Sequence, residues 1–158
     1  MNVVLKPKTI VYDIVVNVLC LLQLVGVVIY LIAVWKGLPD RLPWHYDAAG
    51  VVDDWRDKGY LIVLPIVTWV VYIMITVIER FPQIWNSGIR ITEENKERVF
   101  SLLKNMIATI KLVVVTLLSF LALHATFEKN LPVWFLPVAL ILVFGTIIFF
   151  IVKLIRAR

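Results

Sequence analysis

The sequence predicts an all-α integral membrane protein: a four-helix bundle with an ordered extracellular loop and a cytoplasmic extension of the third helix. Three observations predict it. Of 158 residues, 61% are apolar and only 17% charged, with a mean hydropathy of +0.92; that is far from a water-soluble domain and too apolar for a disordered chain. Four apolar stretches each approach or exceed the roughly 20 residues needed to cross the hydrocarbon core. The charges are concentrated between those stretches, 16 Lys and Arg against 11 Asp and Glu, so the basic excess serves to orient spans and does not point to nucleic acid. The single cysteine, Cys20, excludes an intramolecular disulfide and a thiol-metal cluster.

The first span covers residues 14–35 and is interrupted only by Asn17, Gln23 and Gly26. It is longer than a signal-peptide core, and Ala33-Val34-Trp35 lacks a small-x-small cleavage pattern, so it is read as retained. The second covers 60–78, with Pro65 in its first turns, where a missing N–H is best tolerated. The third covers 107–127. The fourth covers 133–152, with Pro137 near its start and Gly145 inside it. Together they form a single membrane domain over residues 1–158, and four spans place both termini on one side.

The flanking charges choose that side. With Lys111 set aside as lying within a span, the termini and second loop carry ten basic residues: Lys6, Lys8, Arg80, Arg90, Lys96, Arg98, Lys104, Lys153, Arg156 and Arg158. The other side carries five: Lys36, Arg41, Arg56, Lys58 and Lys129. The bias predicts a multi-pass protein of the cell membrane with both termini cytoplasmic.

The connections differ in kind. Within the cytoplasmic loop and helix, residues 79–106, Thr92 can cap a helix, Glu93 and Glu94 suit its dipole, and Val99, Leu102, Leu103, Met106 and Ile110 recur at helical spacing. A continuous helix from Glu93 to Phe127 is expected, about 52 Å long at 1.5 Å per residue, so its first third must project from the hydrocarbon core or bend into the interface. Glu128 to Pro132 reads as a tight connection. The outer loop, residues 36–59, is the informative segment, holding Asp40, Asp47, Asp53, Asp54 and Asp57 together with His45, Trp44 and Trp55. Pro39 and Pro43 exclude a regular helix and favour extended backbone, and Gly50 in Ala48-Ala49-Gly50 can supply a turn with positive φ. Such a loop is expected to be ordered and to cap the ends of the spans.

Within it, Leu38-Pro39-x-x-Leu42-Pro43-x-His45-Tyr46-Asp47-x-x-Gly50-x-x-Asp53-x-Trp55-x-x-Lys58 resembles the signature loop of the bacterial SdpI-like immunity proteins, whose members share an amino-terminal membrane domain of unknown function of the DUF1648 type. Val52 stands where that family often has proline, and Asp54 and Arg56 where glycines are common. The resemblance implies a protein that acts by binding rather than by catalysis. Its partner would be a membrane-active peptide toxin at the outer face, or a membrane or cytoplasmic protein at the cytoplasmic helix. The binding residues it implies are Pro39, Pro43, His45, Tyr46, Asp47, Gly50, Asp53, Trp55 and Lys58.

Other readings compete. His45 and Asp47, with His124 at the outer end of the third span, could ligate a divalent metal and make a metal-dependent membrane enzyme. Against this, the same groups can cap turns and pair with neighbouring cations, with Asp53 expected to pair with Lys58 or Arg56. No organic cofactor is implied. An accessory subunit of a transporter or signalling complex, or a homo-oligomer, is also compatible. Lys111, inside the third span, is close enough to the boundary to snorkel or to pair with Asp13. Asn17 and Gln23 are expected to hydrogen-bond between helices.

Overall fold

A computed structural model of the chain describes residues 7–158; Lys6 and the side chain of Lys8, both counted above, lie outside what it describes. Four α-helices follow in order: α1, Pro7–Val34; α2, Val63–Ile78; α3, Lys96–His124; and α4, Phe135–Arg156. Each, taken with its adjoining turns, is long and apolar enough to cross a membrane. The all-α membrane bundle is therefore the architecture. One feature was not expected: the segment between α1 and α2 folds as an antiparallel hairpin of β1, Arg41–Tyr46, and β2, Val52–Asp57.

The helix ends show local chemistry at work. A 3-10 turn, Lys58–Ile62, precedes α2, because Pro65 has no N–H to return to the carbonyl four residues earlier and the entering turn winds tighter. The third helix starts at Lys96 rather than Glu93. Thr92 and Asn95 exchange hydrogen bonds, Thr92 N–H to Asn95 Oδ1 at 2.8 Å and Asn95 N–H to Thr92 Oγ1 at 3.3 Å, so Thr92 closes a reciprocal turn ahead of the helix, and the N-cap position falls to Asn95. At its far end α3 tightens into a 3-10 turn, Ala125–Phe127, and Glu128 adopts a left-handed conformation, φ 54°.

Packing centres on α3, which lies against α1, α2 and α4. On α1 the buried residues are Val16, Cys20, Leu24, Val27 and Leu31, a three- and four-residue spacing that makes one stripe. They meet a face of α3 that carries Ala108, Val115, Ser119, Ala122 and Ala125. Small residues at this seam let the backbones approach closely, which in lipid replaces the missing hydrophobic drive between helices. Two cross-links, Tyr12 Oη with Thr109 Oγ1 at 2.7 Å and Tyr30 Oη with Thr126 Oγ1 at 3.0 Å, fix their register. The large side chains point outward: Leu22, Ile32, Ile141 and Ile148 are all exposed, as suits helices solvated by acyl chains.

The first turns of α3 do not stand free. Val99 and Leu103 pack against Leu154 and Ala157 at the end of α4, with Trp85 and Ile89 of the intervening loop beside them. The 29 residues of α3 span about 44 Å at 1.5 Å per residue, longer than the roughly 30 Å hydrocarbon core. Its extension is therefore covered by protein.

Candidate functional site

At the hairpin end the chain builds an ordered cap. Leu42 and Pro43 of β1 are buried, and Leu42 packs with Leu61 against Val27, Leu31, Ala122 and Ala125, so the base of the hairpin is part of the bundle core. The ladder pairs Arg41 with Asp57 and Pro43 with Trp55, then slips on either side of His45. These bulges leave Trp44 and Asp53 as extra residues and re-aim their neighbours. As a result His45 donates Nδ1–H to Asp53 Oδ1 at 2.6 Å.

The tip is organised by Asp47. One carboxylate oxygen accepts from the backbone N–H groups of Ala49 and Val51, both at 2.8 Å, and its backbone closes the turn through Asp47 N–H to Val51 O and Gly50 N–H to Asp47 O, each at 2.9 Å. Gly50 is required twice over. Its φ is +79°, and a Cβ there would come within 3.1 Å of Leu131 Cβ. The close approach permits Leu131 N–H to donate to Gly50 O at 2.7 Å, while Val52 N–H donates to Asn130 Oδ1 at 3.0 Å. The hairpin is thus stitched to the α3–α4 connection.

His124 completes this seam from α3. Its Nε2–H donates to Asn130 O at 3.1 Å, and its ring stacks on Phe120, which in turn stacks on Phe135 of α4. Tyr46 lies against the His124 ring. Its hydroxyl is buried without a hydrogen-bond partner among the described residues, and desolvation raises the phenol above its usual value of 10.0. Between hairpin and α4 opens a cleft of about 570 Å³, whose lining includes Trp44, Tyr46, Ala49, Gly50, Phe135 and Pro137. That size falls within the range of ligand clefts, roughly 300–1,000 Å³.

The geometry distributes the expected site residues unevenly. Tyr46, His45, Asp47 and Gly50 line the cleft. Pro39 precedes the hairpin, Pro43 anchors its base, and Trp55, partly exposed, lies opposite Pro43. Lys58 holds the hairpin's exit, with its amine 3.4 Å from both Leu38 O and Asp40 Oδ1. The expected pairing of Asp53 with Lys58 or Arg56 is corrected: Asp53 takes His45, and Arg56 takes Asp54 at 2.7 Å, because alternation and the bulge put Asp53 on the His45 side. That hydrogen bond raises the Arg56 guanidinium further above its already high range.

His45, Asp47 and His124 are not gathered as a ligand set. Each is committed elsewhere, to Asp53, to the turn amides and to Asn130 O respectively, and among the described residues no group of three or more His, Cys, Asp or Glu could hold a metal.

A second polar assembly lies where α1, α2 and α3 meet, toward the termini. Lys111, with none of its side chain exposed, donates to Glu79 Oε2 at 2.6 Å, to Asn17 Oδ1 at 2.9 Å and to Thr76 Oγ1 at 3.3 Å. Lys104 lies 3.6 Å from the same Glu79 oxygen and 3.4 Å from Asp13 Oδ1. Tyr72 Oη donates to Asn17 Oδ1 at 3.1 Å, and Asn17 Nδ2 donates to Asp13 O at 2.8 Å. Asn17 thus bonds between helices as expected, whereas Gln23 lines a groove of about 540 Å³ between α1 and α3. The partner of Lys111 is Glu79, not Asp13. Glu79 falls one residue past α2 and reads as loop in sequence; the signal that could have found it is that it is the only acid near the end of the second span, facing a span that contains a lysine.

Residues 22–69 match the family model described as "Domain of unknown function (DUF1648)". The match runs from the middle of α1 through the whole hairpin into the first turns of α2, and so contains every residue named above from the 36–59 segment. No curated protein and no solved structure matches the chain. The structure is that of a multi-pass helical membrane protein, and one segment of it, residues 22–69, is similar to the DUF1648 model.

Proposed function

We propose that this chain is a binding protein of the cell membrane that receives a membrane-active peptide in the cleft between its hairpin and α4, as its resemblance to SdpI-like immunity proteins implies. The hairpin lies on the outer face and both termini in the cytoplasm, on the strength of ten flanking basic residues against five. Residues 1–158 act as one membrane domain.

The observation that carries the reading is a preformed cleft, its wall held by the backbone bonds of Gly50 and Val52 to the α3–α4 connection, with the buried Tyr46 hydroxyl unpartnered beside it. A wall built on backbone bonds has little ordering entropy to lose on binding. The free phenol can donate to a peptide carbonyl, while Trp44, Phe135 and Pro137 offer apolar and aromatic surface at the level where amphipathic peptides lie.

Cells that express the chain and are challenged with a panel of membrane-permeabilising bacteriocin peptides test this. Protection against at least one peptide is expected, and Ala49→Trp, which fills the cleft without touching the hairpin's tethers, should abolish it at unchanged membrane abundance. Protection that survives Ala49→Trp, or protection against none of the peptides, contradicts the proposal. A cysteine introduced at Ala48 should be labelled by an impermeant reagent from outside intact cells, and one at Asn95 should not.

A further inference from the structure

The end face opposite the hairpin carries a second, smaller depression. It lies where the chain enters α3 and leaves α4, a cavity of about 290 Å³ lined by Arg90, Thr92, Glu94, Asn95, Arg98 and Arg158, with Ala157 beneath. Three separate stretches of chain deliver its three arginines. All three are exposed, and among the described residues none forms an ion pair with a carboxylate. Glu94, one turn before Arg98, contributes a single negative charge to the lining and pairs with none of them.

The arginines are positioned by buried neighbours and not by acids. Asn95, which is buried, donates Nδ2–H to Arg90 O at 3.1 Å and accepts from Thr92 N–H at 2.8 Å, closing the turn that holds Arg90 beside the start of α3. Val99 and Leu103 pack on Leu154 and Ala157, which brings Arg158 to the same cavity as Arg98. Guanidinium groups so placed, without partners, suit a phosphate, whose oxygens they engage in pairs. Along α4 the exposed Ile151 and Ile155 run up to Arg158, so an apolar stripe ends at the basic cavity.

From this juxtaposition we infer that the cavity binds the phosphate headgroup of an anionic phospholipid, with Arg90, Arg98 and Arg158 on the phosphate and an acyl chain along Ile151 and Ile155. The apolar stripe favours a lipid over free phosphate, because a soluble anion makes no use of it. Basic pockets beside helix ends are where such headgroups are held. The site is independent of the peptide cleft and lies at the other end of the bundle.

The test is retention of phosphatidylglycerol against phosphatidylcholine by the purified full-length chain in detergent, read by native mass spectrometry. Preferential retention of phosphatidylglycerol is expected. The triple variant R90Q/R98Q/R158Q should lose affinity by about fivefold per arginine removed. R80Q/K153Q/R156Q, which removes the same charge at the same end but outside the cavity, should keep the preference. The milder R90K/R98K keeps charge and fold but loses the paired geometry, and should fall between. Absence of a preference in the native chain, retention by R90Q/R98Q/R158Q, or equal loss in R80Q/K153Q/R156Q would each overturn the inference. Displacement of phosphatidylglycerol by equimolar inorganic phosphate would also overturn it, in favour of a free-anion site.

Discussion

The two ends of this bundle use ion pairs in opposite ways. At the hairpin, His45 and Asp53 keep 65% and 46% of their side-chain surface exposed, and Arg56 with Asp54 and Lys58 with Asp40 are also solvated. At the α1–α2–α3 junction, Lys111 and Glu79 keep 0% and 2%. The geometries look alike, 2.6 Å in both the His45–Asp53 and the Lys111–Glu79 contacts, yet the energetics diverge. An exposed pair is screened and contributes little, whereas a buried charge that loses its partner is stranded where nothing solvates it. The hairpin must therefore draw its order from elsewhere: from Leu42 in the core, from the Asp47 turn, and from the backbone bonds that Gly50 and Val52 make to the α3–α4 connection. One end is fastened by charge and the other by backbone.

Breaking the buried side of that contrast has the largest expected effect. Glu79→Ala leaves Lys111 without an acid partner and Lys104 with Asp13 alone, and should destabilise the bundle by about 3–5 kcal/mol, measured by denaturant titration in mixed micelles. Replacing both members of the pair, Glu79→Leu with Lys111→Met, should recover much of that loss. At the other end, Gly50→Ala must hold a side chain at φ +79° and 3.1 Å from Leu131 Cβ. A cost of about 1–3 kcal/mol is expected, confined to the cap and visible as faster hydrogen exchange at the Leu131 amide while the helices keep their protection.

Tyr46→Phe sharpens the picture in the opposite direction. Deleting a buried hydroxyl that has no partner should leave stability unchanged or raise it by up to about 1 kcal/mol, while weakening any ligand that uses the phenol. The alkaline response follows from the same burial. The folded-state phenol is raised above 10.0, so its contribution is whole below pH 10.0 and is lost as pH climbs through the raised value. Hairpin protection, taken relative to the base-catalysed intrinsic exchange rate, should fall over that window in the native chain and not in the Tyr46→Phe variant. Smallest of all, Asp53→Asn should cost under about 1 kcal/mol, no more than Asp57→Asn, because its His45 partner is itself in solvent.

These expectations also mark where sequence was informative. The four helices were legible because their apolar runs exceed what any other structure would require, and the turn at Gly50 because glycine, lacking Cβ, takes the positive φ that the turn needs. The strand pairing was half legible: Pro39 and Pro43 imply extended chain, but nothing local reports that Trp44 and Asp53 are bulged and that His45 consequently meets Asp53. The tether to Asn130 and Leu131 was invisible, since a backbone amide and a carbonyl some eighty residues apart leave no compositional trace. The separation of His45, Asp47 and His124 was equally illegible. Residue type alone does not report that His124 and Asp47 are engaged by backbone partners. Lys111 stands out in sequence, but Asp13, the acid just before the first span, lies beside Lys104, and the partner of Lys111 is Glu79 at the end of α2.

The contrast between the two ends is tested most directly by paired double-mutant cycles on the intact chain, one on Lys111 and Glu79 with Lys111→Met and Glu79→Gln, the other on His45 and Asp53 with His45→Gln and Asp53→Asn. Coupling energies from unfolding in mixed micelles isolate each pair from its surroundings. The account predicts a coupling of about 2–3 kcal/mol for the buried pair and less than about 1 kcal/mol for the exposed one. Equal couplings, or a larger one at the hairpin, would contradict it.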